Sequence, residues 1–406
     1  MNVAVLGYGT VGSGVVEVLI KNKGIIEKKA KCQIDLKYIL DIREFENDPM
    51  KDKIVKDFKT ILEDDSVGII AEAMGGLEPA YSYVKAALLK GKSVATSNKE
   101  LVAMYGPQLI EIAKQNSCNF LFEASVGGGI PIIRPLNTAL TGDNVKEITG
   151  ILNGTTNFIL TKMKNEGRRF ESVLQEAQEL GYAERNPEAD VEGHDACRKI
   201  AILASLAFGE HIDYKDVPTQ GITKITKEDM DYAKRMGYSI KLLGTCKKHE
   251  GEISVSVSPT LISNEHPLAN VNDVFNAVFV KGDMVGDVMF YGRGAGKLPT
   301  ASAVVADVID AARHEGTHIS IFWNREKLAI VPREEMKTRY FVRVEGERVY
   351  TSVLVKDIFG EVEEVVALNP NEYVFITKKQ TENEFEIKID EVKQDLRVIS
   401  AIHIEK

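Results

Sequence analysis

Residues 2–22 read NVAVLGYGTVGSGVVEVLIKN, and this stretch decides how the first part of the chain folds. Its first five residues are an apolar run typical of a buried parallel strand, and its last ten have the pattern of a helix. Between them, GYGTVG matches GxGxxG in the setting where this motif binds a dinucleotide. Gly7 permits a tight turn, Gly9 lets a pyrophosphate approach the backbone, and Gly12 allows close packing of helix on strand. Because free N–H groups at a helix start favour phosphates, the motif predicts dinucleotide binding rather than a chance glycine turn.

Further short apolar runs follow, separated by helical patterns, as in an α/β fold with a doubly wound parallel sheet. Most of these runs end in a polar or glycine-rich loop, which is where such sheets hold their ligands. The pattern therefore predicts an N-terminal Rossmann domain over residues 1–135. The other predicted strands of this domain are 35–40, 67–73, 93–96 and 119–123.

Three of these strand ends carry candidate binding residues. After the second strand, Asp41 would bind the ribose 2′-hydroxyl of NAD, whereas Arg43 would meet the 2′-phosphate of NADP. The sequence contains both residues and leaves the choice open. Lys99 follows the fourth strand, where it either faces the nicotinamide or the substrate or is only a charge at a helix start. After the fifth strand, three glycines beside Glu123 predict either an oxygen-lined cation site or a flexible turn.

A second segment, residues 181–199, reads GYAERNPEADVEGHDACRK and concentrates acidic side chains. Glycine, asparagine and proline in its first half predict a loop, and apolar residues at helical spacing predict a helix from its second half onward. Asp195 and Lys199 are four residues apart, so they share one helix face, which continues as the apolar Ile202 and Leu206. Two interpretations are open: a surface ion pair, or a desolvated lysine poised for proton transfer with Asp195 orienting it.

The middle of the chain, residues 136–296, predicts an α+β catalytic and dimerisation domain with an open mixed sheet. A strand at 145–152 leads into the polar loop 153–157 and then a helix; small polar groups there suit a carboxylate unless they only cap the helix. Alternation at 252–262 and a hairpin around Gly282-Asp283 predict antiparallel strands. Such an open sheet needs a partner surface, which favours a dimer.

The last third of the chain predicts a returning helix and a small module. A glycine loop leads into a helix at 299–313, and the segment 297–325 should complete the Rossmann domain. After a linker, residues 340–406 contain strands, a helix and a mixed segment, which predict a small α+β module with its own core.

Bulk properties indicate two or three domains and exclude several functions. At 406 residues the chain is too long for one core. A net charge of −9 argues against binding to nucleic acid or an anionic membrane. The four cysteines lack the spacing of a zinc site or a disulfide framework. With no signal-peptide pattern, this predicts a reducing cytoplasm. No apolar run reaches the ~18 residues of a membrane span.

Taken together, these motifs resemble the homoserine dehydrogenase family. The resemblance implies an oxidoreductase that interconverts L-homoserine and L-aspartate 4-semialdehyde with NAD or NADP, in threonine, methionine and isoleucine biosynthesis. It also implies a cytoplasmic homodimer or homotetramer. Besides GxGxxG, it rests on TSNKELVA (96–103), FEASVGGGIPI (122–132), GILNGTTNFIL (150–160), GYAERNPEADVEGHDACRKIAIL (181–203) and YGRGAG (291–296), which occur in the family's order.

The resemblance implies roles for individual residues. Lys199 matches the proton donor, Asp195 the acid that positions the chemistry, and Lys99 a second active-site lysine. Substrate contacts are implied at Glu184, Asp190, Tyr182, Gly154 and Thr155. Cofactor contacts are implied at Gly7, Gly9, Thr10, Val11, Gly12, Asp41, Arg43, Gly75, Ser97, Lys99 and Gly296. A monovalent cation, commonly sodium, is implied at Glu123, Val126, Gly128 and Ile130.

Two other functions compete with this interpretation. An acylating semialdehyde dehydrogenase needs a cysteine nucleophile with a histidine base; Cys197 is the only cysteine in the charged segment, and His194 points elsewhere on the helix. A non-catalytic dinucleotide sensor would leave the constellation of Lys199, Lys99 and Glu184 unexplained.

The tail resembles an ACT domain only loosely and lacks the DxPG-like turn usual after the first strand. We therefore predict that it serves assembly more than inhibition by threonine.

Overall fold

The computed structural model describes residues 1–405, which form two compact units. The first unit comprises residues 1–146, 201–214 and 276–328, and the second comprises 147–200, 215–275 and the described chain from 329 onward. None of the helices in the described chain combines the length and the apolarity needed to cross a membrane.

The first 121 residues alternate strands with helices. They are β1 (Asn2–Leu6), α1 (Thr10–Lys21), α2 (Lys23–Ala30), β2 (Asp35–Leu40), β3 (Ile54–Val55), α3 (Phe58–Leu62), β4 (Val67–Glu72), α4 (Ala80–Leu89), β5 (Ser93–Thr96), α5 (Lys99–Gln115) and β6 (Phe120–Leu121). The six strands form a sheet in the order β3-β2-β1-β4-β5-β6, and every neighbouring pair is parallel. The order steps outward in both directions from β1, as in a Rossmann sheet. The predicted doubly wound sheet is therefore confirmed.

The middle of the chain mixes antiparallel strands with helices. Its elements are β7 (Val145–Ile151), α6 (Gly154–Glu166), α7 (Phe170–Glu179), α8 (Glu188–Val191), α9 (His194–Phe208), α10 (Lys227–Arg235), β8 (Tyr238–His249), β9 (Glu252–Ser263), β10 (Phe275–Gly282), β11 (Asp287–Arg293) and α11 (Lys297–Arg313). β8 pairs antiparallel with both β7 and β9. The expected start of α6 after residue 157 is wrong, because the Asn153 side chain accepts a hydrogen bond from the Thr156 N–H and so caps a helix that begins at Gly154.

Close packing of α11 on α1 depends on a glycine. A Cβ atom at Gly14 would lie 2.7 Å from the carbonyl oxygen of Lys297, so only glycine lets the two helices approach this closely. Ala301 and Val304 of α11 share a buried core with Val15 of α1. The returning segment is helical only over Lys297–Arg313, and it forms turns and irregular structure after that.

The tail contains β12 (Lys337–Glu345), α12 (Arg348–Phe359), β13 (Glu363–Val365), β14 (Glu372–Ile376), β15 (Gln380–Thr381), α13 (Glu382–Asp395) and β16 (Arg397–Ile404). Apart from the two-residue β15, this is a βαββαβ module with the strand order β16-β12-β14-β13, a ferredoxin-like arrangement. The predicted α+β character is confirmed. The mixed segment of the sequence is the helix α13, which starts with a capping box between Thr381 and Glu384.

The tail continues the sheet of the second unit, because β16 pairs parallel with β9 and places His403 opposite Thr260. A buried ion network joins the tail to α10 as well. Arg343 donates to Asp229 Oδ1 at 2.8 Å and to Glu372 Oε1 at 3.0 Å. These three side chains are 3%, 0% and 8% exposed. Because such groups are costly to bury singly, the network ties tail and α10 into one packed body.

Candidate active site

The ion pair predicted on α9 is buried. Lys199 Nζ donates to Asp195 Oδ2 at 2.8 Å and to the carbonyl oxygen of Leu152 at 2.8 Å. The side chains of the lysine and the aspartate are 10% and 3% exposed. This burial contradicts the interpretation as a surface pair, since surface pairs remain solvated. The lysine instead has a fixed position with its ammonium group held by two oxygen acceptors.

Asn153 links this pair to a second acid, and no sequence motif predicts this link. Its Nδ2 donates to Asp195 Oδ2 at 2.9 Å and to Asp190 Oδ1 at 2.7 Å. Its Oδ1 caps α6 by accepting from the Thr156 N–H at 2.9 Å. The only sequence signal is an asparagine before the small residues of a helix start, which predicts a cap. Its contacts to the two acids arise from tertiary folding.

Other predicted substrate residues lie around the start of α6. The Thr155 hydroxyl donates to the carbonyl oxygen of Tyr182 at 2.7 Å, which fixes the loop after α7 against α6. Gly154 is the first residue of α6, where backbone N–H groups are free to meet an anion. Glu184 is exposed, and its carboxylate forms no hydrogen bond or ion pair with residues 1–405. Three predicted residues, Lys199, Asp195 and Asp190, are therefore joined through Asn153, and Thr155 and Tyr182 form a separate contact. Glu184 lies outside both groups.

The glycine loop after β1 has the geometry that a phosphate site needs. Gly7 has a φ of 89°, and a Cβ there would lie 2.9 Å from the carbonyl oxygen of Ala73. A Cβ at Gly12 would lie 1.8 Å from the carbonyl oxygen of Gly7, so the turn requires glycine at both positions. At Gly9 a Cβ would meet no atom within 4 Å, which leaves open space above the backbone. Thr10 and Val11 form the first turn of α1.

Asp41 and Arg43 form a bidentate pair after β2. Arg43 Nε and Nη2 donate to the two carboxylate oxygens of Asp41 at 3.0 and 2.8 Å. The Tyr8 N–H of the glycine loop also donates to Asp41, at 2.8 Å. The guanidinium and the two backbone N–H groups hold the pKa of Asp41 far below its usual range. The Arg43 side chain is 58% exposed, so it remains open to a further anion.

The other predicted cofactor residues lie in loops of the first unit. Gly75 follows β4 with a φ of 79° and open space where a side chain would be. Ser97 follows β5, and Lys99 is the first residue of α5, which Asn98 caps. Gly296 precedes α11 with a φ of 123°. Each of these loops sits at the end of a strand or the start of a helix, where backbone groups are free for a ligand.

At the predicted cation site, the Glu123 carboxylate already accepts hydrogen bonds. It accepts the backbone N–H groups of Ile132, Ile133 and Arg134 at 2.6, 2.9 and 2.8 Å, so the side chain is occupied by the turn after it. The carbonyl oxygens of Val126, Gly128 and Ile130, three buried residues, accept no hydrogen bond from residues 1–405. In the same described range, no group of three or more His, Cys, Asp or Glu residues is placed to hold a metal. The donors that fit a cation are therefore backbone carbonyls.

The structure argues against an acylating enzyme, because the candidate nucleophile Cys197 is buried. Cys197 is buried within α9, 5% exposed. A nucleophilic thiol needs access to its substrate and stabilisation of the thiolate. The free cysteines Cys118 and Cys246 are also buried, and burial raises the pKa of Cys118 to about 11. None of these three thiols is suited to attack a substrate.

Comparisons with known proteins give one consistent family. The family model described as "Homoserine dehydrogenase, NAD binding domain" matches residues 7–123, and that described as "Homoserine dehydrogenase" matches residues 131–309. Homoserine dehydrogenase from Bacillus subtilis is 45% identical over 313 residues, covering 76% of this chain and 72% of its own. That from Helicobacter pylori is 40% identical over 374 residues, covering 91% and 86%.

Solved structures agree with these relatives. The homoserine dehydrogenase of Thiobacillus denitrificans superposes with a TM-score of 0.92 at 35% identity, covering 100% of this chain and 98% of its own. A hyperthermophilic archaeal homoserine dehydrogenase in complex with NADPH has a TM-score of 0.65 at 29% identity, covering 76% and 97%. The agreement with the first structure extends through the tail.

Proposed function

Because the chain belongs to the homoserine dehydrogenase family and is an NAD(P)-dependent oxidoreductase of homoserine, we propose that Lys199 carries the proton of this reaction. The observation that supports the role is the buried cluster in which Lys199, Asp195, Asn153 and Asp190 are joined by hydrogen bonds. The activity is tested by homoserine-dependent reduction of NAD and NADP, measured side by side. Absence of turnover with both cofactors would contradict it.

The bound nicotinamide supplies hydride chemistry at C4 of the substrate. During reduction of the aldehyde, the Lys199 ammonium gives a proton to the oxygen on which negative charge develops. In the oxidation of homoserine the amine receives that proton. Asp195 and the Leu152 carbonyl hold Nζ in place, so that its orientation is fixed before the substrate binds. Lys99 is proposed to stabilise the alkoxide by its charge.

Substrate binding is assigned to the acids and to the start of α6. Homoserine is a zwitterion, so its ammonium group needs carboxylates and its carboxylate needs N–H donors. Asp190 is held by Asn153, and Glu184 offers an exposed carboxylate for the ammonium group. The free N–H groups at Gly154 and Thr155 are proposed to bind the substrate carboxylate, with Tyr182 beside them.

Replacing Glu184 by Gln should raise KM for homoserine about 10–100-fold and change kcat little, because a lost charge-assisted hydrogen bond costs about 1.5–3 kcal/mol. Steady-state kinetics at saturating cofactor measures both constants. Glu188→Gln in the same loop, also exposed, serves as the matched control. Identical KM values for Glu184→Gln, Glu188→Gln and the unaltered enzyme would remove Glu184 from the substrate site.

Cofactor preference is proposed to depend on Arg43. Replacing it by Ala removes the guanidinium that would bind the 2′-phosphate and leaves the Asp41 carboxylate to repel that phosphate. We expect the Kd for NADPH to rise about 10–100-fold, the value of a charged hydrogen bond, while the Kd for NADH changes less than threefold. Cofactor fluorescence measures both constants, with the exposed Lys59→Ala as control. An equal change in the two Kd values would mean that a residue other than Arg43 distinguishes NADPH from NADH.

We further propose that the carbonyls of Val126, Gly128 and Ile130, with the backbone of Glu123, hold a sodium ion. The support is a set of buried carbonyl oxygens whose hydrogen-bonding capacity is unused within residues 1–405. The ion would stabilise this turn. Thermal unfolding in sodium chloride should therefore give a higher Tm than in tetramethylammonium chloride at equal ionic strength, and equal Tm values would contradict the site.

Assembly as a homodimer or homotetramer is proposed on the β10–β11 hairpin. Met284, Val285, Met289 and Tyr291 are exposed along it, and an apolar edge strand of this kind needs a covering surface. The four free cysteines suit a reducing cytoplasm. The tail is proposed to be an ACT-like module that serves assembly more than inhibition by threonine. Light scattering would show a monomer if the assembly proposal is wrong.

A further inference from the structure

A buried acid at the carboxyl end of β4 has no role in the chemistry described so far. Glu72 is completely buried and forms no ion pair with any residue from 1 to 405. The Met74 N–H donates to its Oε1 at 2.8 Å, and the Thr96 hydroxyl donates to its Oε2. An acid kept in the interior without a cation is costly, so its hydrogen bonds to two different strand ends need an explanation.

The hydrogen bonds continue from Glu72 to the start of α5. Thr96 Oγ1 accepts from the Asn98 N–H at 2.9 Å, and Asn98 Oδ1 caps α5 by accepting from the Leu101 N–H at 3.1 Å. Asn98 Nδ2 returns to the first loop and donates to the carbonyl oxygen of Gly76 at 2.6 Å. The network therefore joins the loop after β4 to the loop after β5 at two places, between Glu72 and Thr96 and between Gly76 and Asn98.

These two loops lie where parallel sheets of this type bind their ligands. Gly75 and Gly76 have φ values of 79° and 72°, and a Cβ at either position would meet no atom within 4 Å. Their backbone is therefore accessible. The conformation of this loop depends on the hydrogen bonds that hold it at Met74 and at Gly76. Glu72 is one anchor and Asn98 is the other.

We propose that Glu72 is a positioning residue for the cofactor, which holds residues 73–76 and 97–99 in the arrangement that receives the dinucleotide. The inference rests on the proposed cofactor site in this unit and adds a residue that the motifs do not contain. Glu72 itself contacts no reacting atom. It acts by fixing the positions of Gly75, Ser97 and Lys99, the first residue of α5.

The electrostatic state of the acid agrees with this role. Burial raises the pKa of Glu72, against the opposing hydrogen bonds from Thr96 and Met74. A neutral carboxyl can donate and accept hydrogen bonds at once. It also adds no negative charge beside a ligand that carries two phosphates. A glutamine side chain has the same two capacities and nearly the same shape.

The test compares Glu72→Leu and Thr96→Val, which remove the hydrogen bonds, with Glu72→Gln and Thr96→Ser, which keep them. The exposed Glu63→Gln is the control. Kd values for NADPH and NADH are measured by fluorescence without homoserine, beside circular dichroism and Tm. We expect Glu72→Leu and Thr96→Val to raise both Kd values at least tenfold in a folded protein. Glu72→Gln, Thr96→Ser and Glu63→Gln should stay within threefold of the unaltered enzyme.

The first of two outcomes would overturn the positioning role, and the second would overturn the neutral state of the carboxyl. If Glu72→Leu and Thr96→Val lower Tm but leave both Kd values unchanged, the network only packs the domain. If Glu72→Gln weakens binding as much as Glu72→Leu, the neutral arrangement is wrong. Should the leucine variant fail to fold, the pair of Thr96 variants decides. These binding measurements omit homoserine, so they test the Glu72 proposal alone. The proposed function is tested independently, by homoserine turnover in the unaltered enzyme.

Discussion

Replacing Lys199 by Ala is expected to lower kcat for homoserine oxidation by roughly 10²–10⁴-fold, the usual contribution of a positioned acid–base group. The Kd for the cofactor should remain within about twofold, because the substitution leaves the glycine loop 7–12 unaltered. Stopped-flow or steady-state rates across a range of pH, together with cofactor fluorescence, measure the two quantities.

Two further variants make the result interpretable. Lys199→Met keeps most of the side-chain volume beside Asp195 and should lose as much activity as Lys199→Ala. Lys393→Ala, in which the lysine is an exposed partner of Asp390, should be as active as the unaltered enzyme. Near-normal kcat in Lys199→Met with an unchanged pH–rate profile would reduce Lys199 to a structural partner of Asp195.

Replacing Arg343 by Met is expected to lower the free energy of unfolding by about 3–5 kcal/mol, because it leaves buried acids without their cation. Asp229 and Glu372 both lose donors, and both are buried. The effect should extend beyond the tail, since Asp229 also forms the capping box of α10 with Thr226. Urea unfolding followed by fluorescence and by activity measures the change.

Arg397→Met is the matched control on the same sheet. Arg397 pairs with Glu345 at the surface, where the side chains are 79% and 53% exposed, so its loss should cost no more than about 1 kcal/mol. Equal effects of the two substitutions would mean that the buried network contributes no more than a surface pair. The same network argues against removing the tail as a test of its role, because truncation would uncover Asp229 and the edge of β9.

The sequence predicts those parts of the molecule whose chemistry is local. GxGxxG predicts its strand, turn and helix because the need for each glycine arises from the local path of the backbone and its close approach to a ligand or a neighbouring element. The four-residue spacing of Asp195 and Lys199 likewise predicts a shared face, and the structure shows them in contact. Whether that face is buried was beyond the sequence, since an exposed pair has the same spacing.

The missed features depend on contacts between distant segments. Asn153 falls in the predicted polar loop 153–157, and its bonds to Asp190 and Asp195 appear only when α6 meets the acidic segment 181–199. The strand β8 went unpredicted because Lys241 interrupts its apolar run. That lysine is buried, donates to Asn157 Oδ1 at 3.0 Å, and has a pKa that burial lowers to about 7. Its polar partners come from another part of the chain.

The pairing of β16 with β9 has a consequence for folding during synthesis. β9 is complete at Ser263, but the strand that covers its edge places His403 opposite Thr260. At about 5–20 residues per second, the ribosome needs on the order of ten seconds to make the intervening chain. During that interval the part of the β9 edge at Thr260 and Leu261 keeps unpaired backbone groups, which can pair with a strand of another nascent chain. Codon usage and chaperone access between β9 and β16 should therefore influence the yield of folded enzyme more than the same changes upstream of β7.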